Sequence, residues 1–156
     1  MNKCRLYSNV QGKGETLLVL HGLFGSSDNL GRVSKELATQ YEVHALDLRN
    51  HGKSPHHDQM TYALMAQDVL QYMDDKNIEQ AHLLGHSMGG KVAMTVALAY
   101  PARVKKLIVA DISPVTYPPH HHDIFKGLLS VDFKQEKSRA AVDSALAKYV
   151  ENNGVR

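Results

Sequence analysis

The stretch Ala81-His82-Leu83-Leu84-Gly85-His86-Ser87-Met88-Gly89 decides the fold of this chain. Its first four residues form an apolar run with the length of a buried strand, and an alanine-rich helix is predicted over residues 87–100. Gly85 and Gly89 suit a turn that is too tight for larger side chains. A strand followed by Gly-x-Ser-x-Gly and a helix predicts a sharp turn that exposes the hydroxyl group of Ser87.

Apolar strands alternate with helices over the first two thirds of the chain. The predicted strands span residues 5–10, 16–20, 41–48, 81–84 and 104–110. A helix is predicted to begin after Thr61, whose hydroxyl group can cap it, with one apolar face: Tyr62, Ala66, Val69 and Met73. Strands that are separated by helices are joined by crossovers, so we expect an α/β fold. Its sheet would be open and mostly parallel, with helices on both faces.

The composition bounds the class of protein and its partners. The chain has 156 residues, of which 43% are hydrophobic, and a net charge of +2, which favours a folded domain and no nucleic-acid partner. It contains no signal segment and no run of about 20 apolar residues, so we expect no membrane partner. Cys4 is the only cysteine and cannot form a disulfide within the chain, which favours the cytoplasm.

Polar residues fall at the carboxyl ends of four of the predicted strands. They are His21, Asp47, Ser87 and Asp111. Ligands of open α/β sheets bind at the carboxyl ends of the strands, so we expect these residues to converge on a functional site. A serine hydroxyl needs a neighbouring base to act as a nucleophile. We predict that Ser87 is the catalytic nucleophile, and the alternative is a serine that only caps its helix.

Two backbone N–H groups are predicted to form an oxyanion hole, the pair of donors that binds the negative oxygen of an acyl-transfer intermediate. One is the N–H of Met88, and the other is the N–H of Leu23 in the loop after the second strand; a plain turn is the alternative for that loop. We also predict that the side chains of His21, Phe24 and His86 bind substrate. For His86, a packed histidine is the alternative.

Asp111 is the predicted catalytic acid, which would orient a histidine base and stabilise its protonated form. The alternative is a capping or loop aspartate, with the acid further along the chain. The loop that contains Asp47, Arg49, His51 and Ser54 is interpreted as structural, because it can shape the pocket wall and hold the turn.

A run of three histidines, residues 120–122, predicts no metal site. Consecutive residues rarely converge on one ion, and no cysteine or acidic residue stands at ligand spacing. We expect neither a metal nor a cofactor.

Four segments resemble the α/β-hydrolase superfamily and, within it, the YbfF-type esterases. They are His21-Gly22-Leu23-Phe24-Gly25-Ser26-Ser27-Asp28-Asn29, Asp47-Leu48-Arg49-Asn50-His51-Gly52-Lys53-Ser54, Gly85-His86-Ser87-Met88-Gly89-Gly90 and Asp111-Ile112-Ser113-Pro114. The resemblance implies the α/β-hydrolase fold and serine-dependent hydrolysis of small acyl esters or thioesters. It also implies that Asp111 is the acid of a catalytic triad.

The end of the chain departs from the superfamily pattern, which continues with more cap, two strands and a histidine loop. Here residues 115–156 are predicted to be helical, and no histidine follows His122. We therefore expect residues 1–114 to be the N-terminal part of the core, incomplete at its C-terminal end, and residues 115–156 to begin a truncated helical cap. The histidine would come from a missing C-terminal half, as a covalent or non-covalent complement.

Three functions fit these observations. The first is hydrolysis of small carboxylic esters through an acyl-enzyme on Ser87, by the complete protein. The second keeps the fold but changes the reaction to that of a thioesterase, another acyl hydrolase or a lyase. The third is a catalytically silent fragment that binds a ligand or partner, since residues 1–156 alone are expected to be inactive.

Overall fold

The computed structural model describes residues 4–117, 122–132, 135 and 138–150. The strands are β1 (Ser8–Gln11), β2 (Glu15–Leu20), β3 (Tyr41–Leu46), β4 (Ala81–His86) and β5 (Val104–Ala110). The helices are α1 (Gly31–Leu37), α2 (Tyr62–Asp75), α3 (Met88–Ala99), α4 (His122–Ser130) and α5 (Arg139–Leu146). The strands form one sheet in the order β1-β3-β2-β4-β5, in which only β1 runs antiparallel to its neighbour. The predicted α/β fold with a mostly parallel sheet is confirmed.

The central strand β2 is buried on both faces, as its apolar run predicts. Leu18 and Leu20 pack into a core with the apolar side chains of α2 and α3. Leu17 and Val19 point the other way and pack with Leu37 of α1. Since each fully buried Leu or Val side chain contributes about 1.5–3 kcal/mol, these two layers hold the strands in register.

Three strands end at different residues from those predicted, and the first, β1, begins at Ser8 and ends at Gln11 rather than spanning residues 5–10. β3 stops at Leu46 because the chain turns there, and the N–H of Leu48 donates to the ring of His21 rather than to a strand. β4 continues through Gly85 and His86, because these residues still pair with Leu20 and Ala110 of the neighbouring strands. Apolar composition alone marked the buried centre of each strand, while the pairing partners decide where it ends.

The helix α2 begins where the sequence predicts. The hydroxyl oxygen of Thr61 accepts a hydrogen bond from the N–H of Leu64 at 3.2 Å, which caps the first turn. The predicted apolar face is buried at Ala66, Val69 and Met73, whereas Tyr62 in the first turn is 46% exposed. The buried stripe begins at Met65 instead.

The chain divides into two compact units, Met1–Pro114 and Val115–Arg156. The first contains the sheet with α1, α2 and α3. In the second, α4 and α5 lie close together. A Cβ atom on Gly127 would lie only 3.2 Å from the side chain of Leu146. Pro118 and Pro119, where a helix is predicted to start, lie outside the described residues. That the second unit begins a cap stays a prediction.

The strand β5 forms one edge of the sheet and is largely exposed. Leu107 is 38% exposed and Ile108 is 50% exposed, although both belong to an apolar strand. Over the described residues, β5 pairs only with β4. No helix within those residues is long and apolar enough to cross a membrane.

Candidate active site

The parallel strands bring their carboxyl ends to one edge of the sheet. Leu20 pairs with Leu46 on one side and with Gly85 on the other, and His86 pairs with Ala110. The residues that follow these strand ends are the four polar ones singled out above: His21, Asp47, Ser87 and Asp111. The structure therefore places these four residues along the same edge.

Ser87 occupies the sharp turn between β4 and α3. Its φ of +50° and ψ of −116° lie in a region that residues other than glycine rarely adopt. Its N–H donates to the carbonyl of Ala110 at 2.9 Å, and its hydroxyl makes no capping hydrogen bond to the helix. A Cβ atom on Gly89 would lie 2.3 Å from the carbonyl oxygen of Leu20, so only glycine allows this close approach of α3. The turn thus has the strained geometry of a nucleophile elbow.

The loop after β2 folds into a tight turn over residues 22–25. The N–H of Gly25 donates to the carbonyl of Gly22 at 3.0 Å, and the Nδ1 atom of His21 lies 2.7 Å from the same oxygen. This carbonyl and the N–H of Leu23 belong to one trans peptide, so fixing the first fixes the direction of the second. A Cβ atom on Gly22 would lie 3.4 Å from the Cβ of Ser87. The peptide that carries the candidate Leu23 donor is therefore held beside Ser87.

His21 supports this loop from inside the protein. It is 1% exposed, and the N–H of Leu48 donates to its Nε2 atom at 3.0 Å. The proton therefore resides on Nδ1, which donates it to the carbonyl of Gly22. Burial lowers the pKa of His21, which keeps the ring neutral and preserves this pattern. At this burial the ring offers a substrate almost no surface, and the role of His21 in binding substrate stays a prediction.

Phe24 differs from His21 in its exposure. It is 47% exposed and has a φ of +62°, and its N–H donates to the Nε2 atom of His51 at 3.3 Å. The side chain of Phe24 is thus accessible beside the turn, and its role in binding substrate stays a prediction. Because its own N–H is engaged by His51, the N–H of Leu23 is the better candidate for an oxyanion donor in this turn.

Asp47 joins the loop after β2 to the loop after β3. Its Oδ1 atom accepts the N–H of Ser27 at 2.6 Å, and its Oδ2 atom accepts the N–H of Lys53 at 2.8 Å. Burial would raise the pKa of Asp47, but these two donors outweigh it and hold the pKa below its usual value. The hydroxyl of Ser54 donates to the backbone carbonyl of Asp47 at 2.5 Å. These contacts agree with the structural interpretation of this loop.

A buried ion pair anchors the same loop to α2. The guanidinium group of Arg49 contacts the carboxylate of Asp68 through two hydrogen bonds of 2.5 Å and 2.7 Å, and both side chains are at most 7% exposed. This contact raises the pKa of Arg49. Asp68 is not among the residues predicted from the sequence. The available signal was a single carboxylate on the buried stripe of α2, between Met65 and Tyr72.

His86 and Asp111 form a second, exposed pair at the elbow. The Nε2 atom of His86 lies 3.6 Å from the Oδ2 atom of Asp111, and their side chains are 41% and 85% exposed. Asp111 has a φ of +56° at the end of β5. A Cβ atom on Gly22 would lie 3.1 Å from the Nδ1 atom of His86, so this ring also borders the oxyanion loop. The side chain of His86 is therefore partly exposed at this edge, and its role in binding substrate stays a prediction.

Within the described part of the chain, no group of three or more His, Cys, Asp or Glu residues is arranged to hold a metal ion. His122 begins α4. His120 and His121, the other members of the histidine run, lie outside the described residues.

Comparison with known proteins extends these observations. Residues 15–147 match the family described as alpha/beta hydrolase fold. Esterase YbfF of Escherichia coli (strain K12) is 36% identical over 146 residues, which cover 93% of this chain and 58% of that protein. The sn-1-specific diacylglycerol lipase ABHD11 of Danio rerio is 39% identical over 160 residues, which cover 96% of this chain and 50% of that protein.

A solved structure described as "Marine microorganism esterase" is similar in both sequence and fold. It has a TM-score of 0.93 and 40% identity, and the match covers 97% of this chain and 61% of that chain. The chain spans about half the length of the curated relatives that it matches. Because the family match extends over residues 15–147 and the sheet has the expected topology, this chain belongs to the α/β-hydrolase family.

Proposed function

We propose that the complete protein hydrolyses small carboxylic esters through an acyl-enzyme on Ser87. One observation carries this proposal: Ser87 is held at a strained φ of +50° at the start of α3, with a hydroxyl that makes no capping bond to the helix. A serine that served only to cap the helix would need neither feature. The similarity to an esterase and to a diacylglycerol lipase supports the same class of reaction.

The proposed reaction has two steps. The Oγ atom of Ser87 attacks the ester carbonyl while a histidine base accepts its proton, and the alcohol leaves with that proton. Water then attacks the acyl-enzyme with the same base, which releases the acid and restores Ser87. In both steps the N–H groups of Leu23 and Met88 donate to the negative carbonyl oxygen. Phe24 and His86, both accessible at this edge, would contact the substrate.

We infer that the histidine base lies in sequence that follows residue 156. No histidine follows His122 in the chain, and the relatives that it matches are about twice as long. Asp111, with its side chain 85% exposed, is available to orient such a histidine. The exposed apolar edge at β5 is consistent with further strands from the same C-terminal half. The cytoplasmic location favoured by the single cysteine remains part of this proposal.

Two alternatives remain. A thioesterase or another acyl hydrolase or lyase would use the same serine, acid and oxyanion donors, so only the preferred substrate separates it from an esterase. A fragment that binds a ligand or partner without catalysis would need neither the strained serine nor the preformed turn beside it. The comparison of oxygen and sulfur esters of one acyl group discriminates the first alternative.

The first prediction tests the nucleophile. In the complete protein, Ser87→Ala should lower the turnover of p-nitrophenyl acetate and butyrate by about 10,000-fold, because the acyl-enzyme can no longer form. Ser130→Ala, which removes a hydroxyl that donates to the carbonyl of Gly127 within α4, is the matched control and should leave turnover unchanged. Equal turnover by the Ser87→Ala variant and the unmodified protein would reject the proposed function.

A further inference from the structure

We infer that His51 is a positioning residue for the oxyanion hole, acting through the N–H of Phe24. This inference rests on the proposed function and deepens it. His51 lies on the loop after β3, 27 positions along the chain from Phe24, and is 8% exposed. Its Nε2 atom is 3.3 Å from the N of Phe24, and its Nδ1 atom is 2.9 Å from the carbonyl oxygen of Arg49.

The two contacts define one tautomer of His51. A backbone N–H can only donate and a carbonyl can only accept, so Nε2 must be unprotonated and Nδ1 must carry the proton. The ring thus works as a bridge between the carbonyl of Arg49 and the N–H of Phe24. His21 uses the same pattern for the neighbouring peptide, and the centroids of the two rings are 5.0 Å apart.

The N–H that His51 accepts belongs to the peptide between Leu23 and Phe24, which is the central peptide of the turn and can flip. In the turn over residues 22–25, Phe24 is the third residue and has a φ of +62°, the conformation required at that position of a type II turn. Flipping the peptide between Leu23 and Phe24 converts a type II turn into a type I turn and restores a negative φ, which a phenylalanine favours. The hydrogen bond to His51 opposes this flip because it holds the N–H of Phe24.

The flip matters for catalysis because the flipping peptide adjoins the one that carries the donor. The N–H of Leu23 stands one residue before the flipping peptide, and the turn passes beside Ser87. The contacts of His21 and Gly25 fix the direction of this N–H through the carbonyl of Gly22, so the flip would act on it by shifting the turn rather than by rotating the donor. An oxyanion donor must lie about 2.7–3.1 Å from the oxygen, so a shift of about half an ångström is enough to weaken its contact. The position of His51 is itself fixed, since Arg49 is anchored by its buried pair with Asp68. His51 would therefore select the active form of the turn without touching the substrate.

Kinetics of paired variants test this role in the complete protein. His51→Phe keeps a ring but removes the acceptor, and we expect kcat for p-nitrophenyl butyrate to fall roughly 10- to 100-fold with KM unchanged within about twofold. His51→Gln offers a carbonyl oxygen near the position of Nε2 and should recover most of the lost kcat. His56→Phe, at an exposed position of the same loop, is the matched control and should not change kcat.

A second measurement is independent of turnover and also of whether the His51→Phe variant folds. In the 156-residue chain, nitrogen NMR should show an unprotonated Nε2 on His51 and a scalar coupling across the hydrogen bond from the Phe24 amide. A protonated Nε2 or a missing coupling would overturn the inference, as would an unchanged kcat in a folded His51→Phe variant. Activity that persists in Ser87→Ala would instead reject the proposed function, and the coupling would then still decide whether His51 holds the turn.

Discussion

At the scale of single residues, the site combines strain with support. Ser87, Phe24 and Asp111 all have positive φ values, and all three lie at or beside the carboxyl ends of the strands. Such conformations cost about 1–3 kcal/mol each and persist only when their surroundings hold them. Here the support consists of backbone contacts from His21 and His51 and of the close packing at Gly89.

Because Ser87 is strained, replacing it with glycine should raise stability while it removes activity. Ser87→Gly should raise the free energy of unfolding by about 1 kcal/mol, because glycine adopts a positive φ without steric cost, while it abolishes hydrolysis. Ser87→Ala removes the same hydroxyl but keeps the Cβ atom, so its stability should stay near that of the unmodified protein. Urea denaturation measures the free energy of unfolding of both variants. A Ser87→Gly variant that is no more stable than Ser87→Ala would show that the turn is not strained.

The buried ring of His21 predicts a pH dependence of stability. Its pKa is lowered in the folded protein from the ordinary value of 6.5, so the unfolded chain binds its proton first as the pH falls. The stability that His21 contributes is therefore present above pH 6.5 and is lost progressively as the pH falls towards the lowered pKa. Urea midpoints between pH 7.5 and 5.5 should decline more steeply in the unmodified protein than in His21→Gln. Equal slopes would show that His21 titrates normally.

At the scale of elements, the two loops after β2 and β3 form one unit. Asp47 bonds to the N–H of Ser27 in the first loop and to the N–H of Lys53 in the second. Arg49 then joins the second loop to α2 through Asp68. The candidate oxyanion turn is therefore supported by α2 and β3, although neither element lies next to it in sequence.

The ion pair between Arg49 and Asp68 should be a major contributor to the stability of this unit. Asp68→Asn leaves the guanidinium group buried without a charged partner, which we expect to cost about 3–5 kcal/mol of unfolding free energy. The exposed pair between Arg103 and Asp74, at 2.8 Å, offers the control, and Asp74→Asn should cost less than about 1 kcal/mol. Similar losses in the two variants, measured by urea denaturation, would contradict a special role for the buried pair.

At the scale of the whole molecule, local sequence patterns predicted the sheet and the elbow but not the contacts between loops. Apolar runs and Gly-x-Ser-x-Gly are contiguous, so they identify β2, β4 and the turn at Ser87 without knowledge of the partners. The pair of Arg49 with Asp68 joins residues 19 positions apart, and its prediction needs the packing of α2 on the sheet. The burial of His21 likewise depends on β3 ending at Leu46, which is set by pairing rather than by composition.

The most direct test of the central claim is to identify the residue that becomes acylated. The complete protein is incubated with a fluorophosphonate or a slowly hydrolysed p-nitrophenyl ester, then digested and analysed by mass spectrometry. We predict one covalent adduct per chain, on the peptide that contains Ser87, and its absence in Ser87→Ala. An adduct on another residue would contradict the account. So would hydrolysis that forms no adduct and that persists in the Ser87→Ala variant.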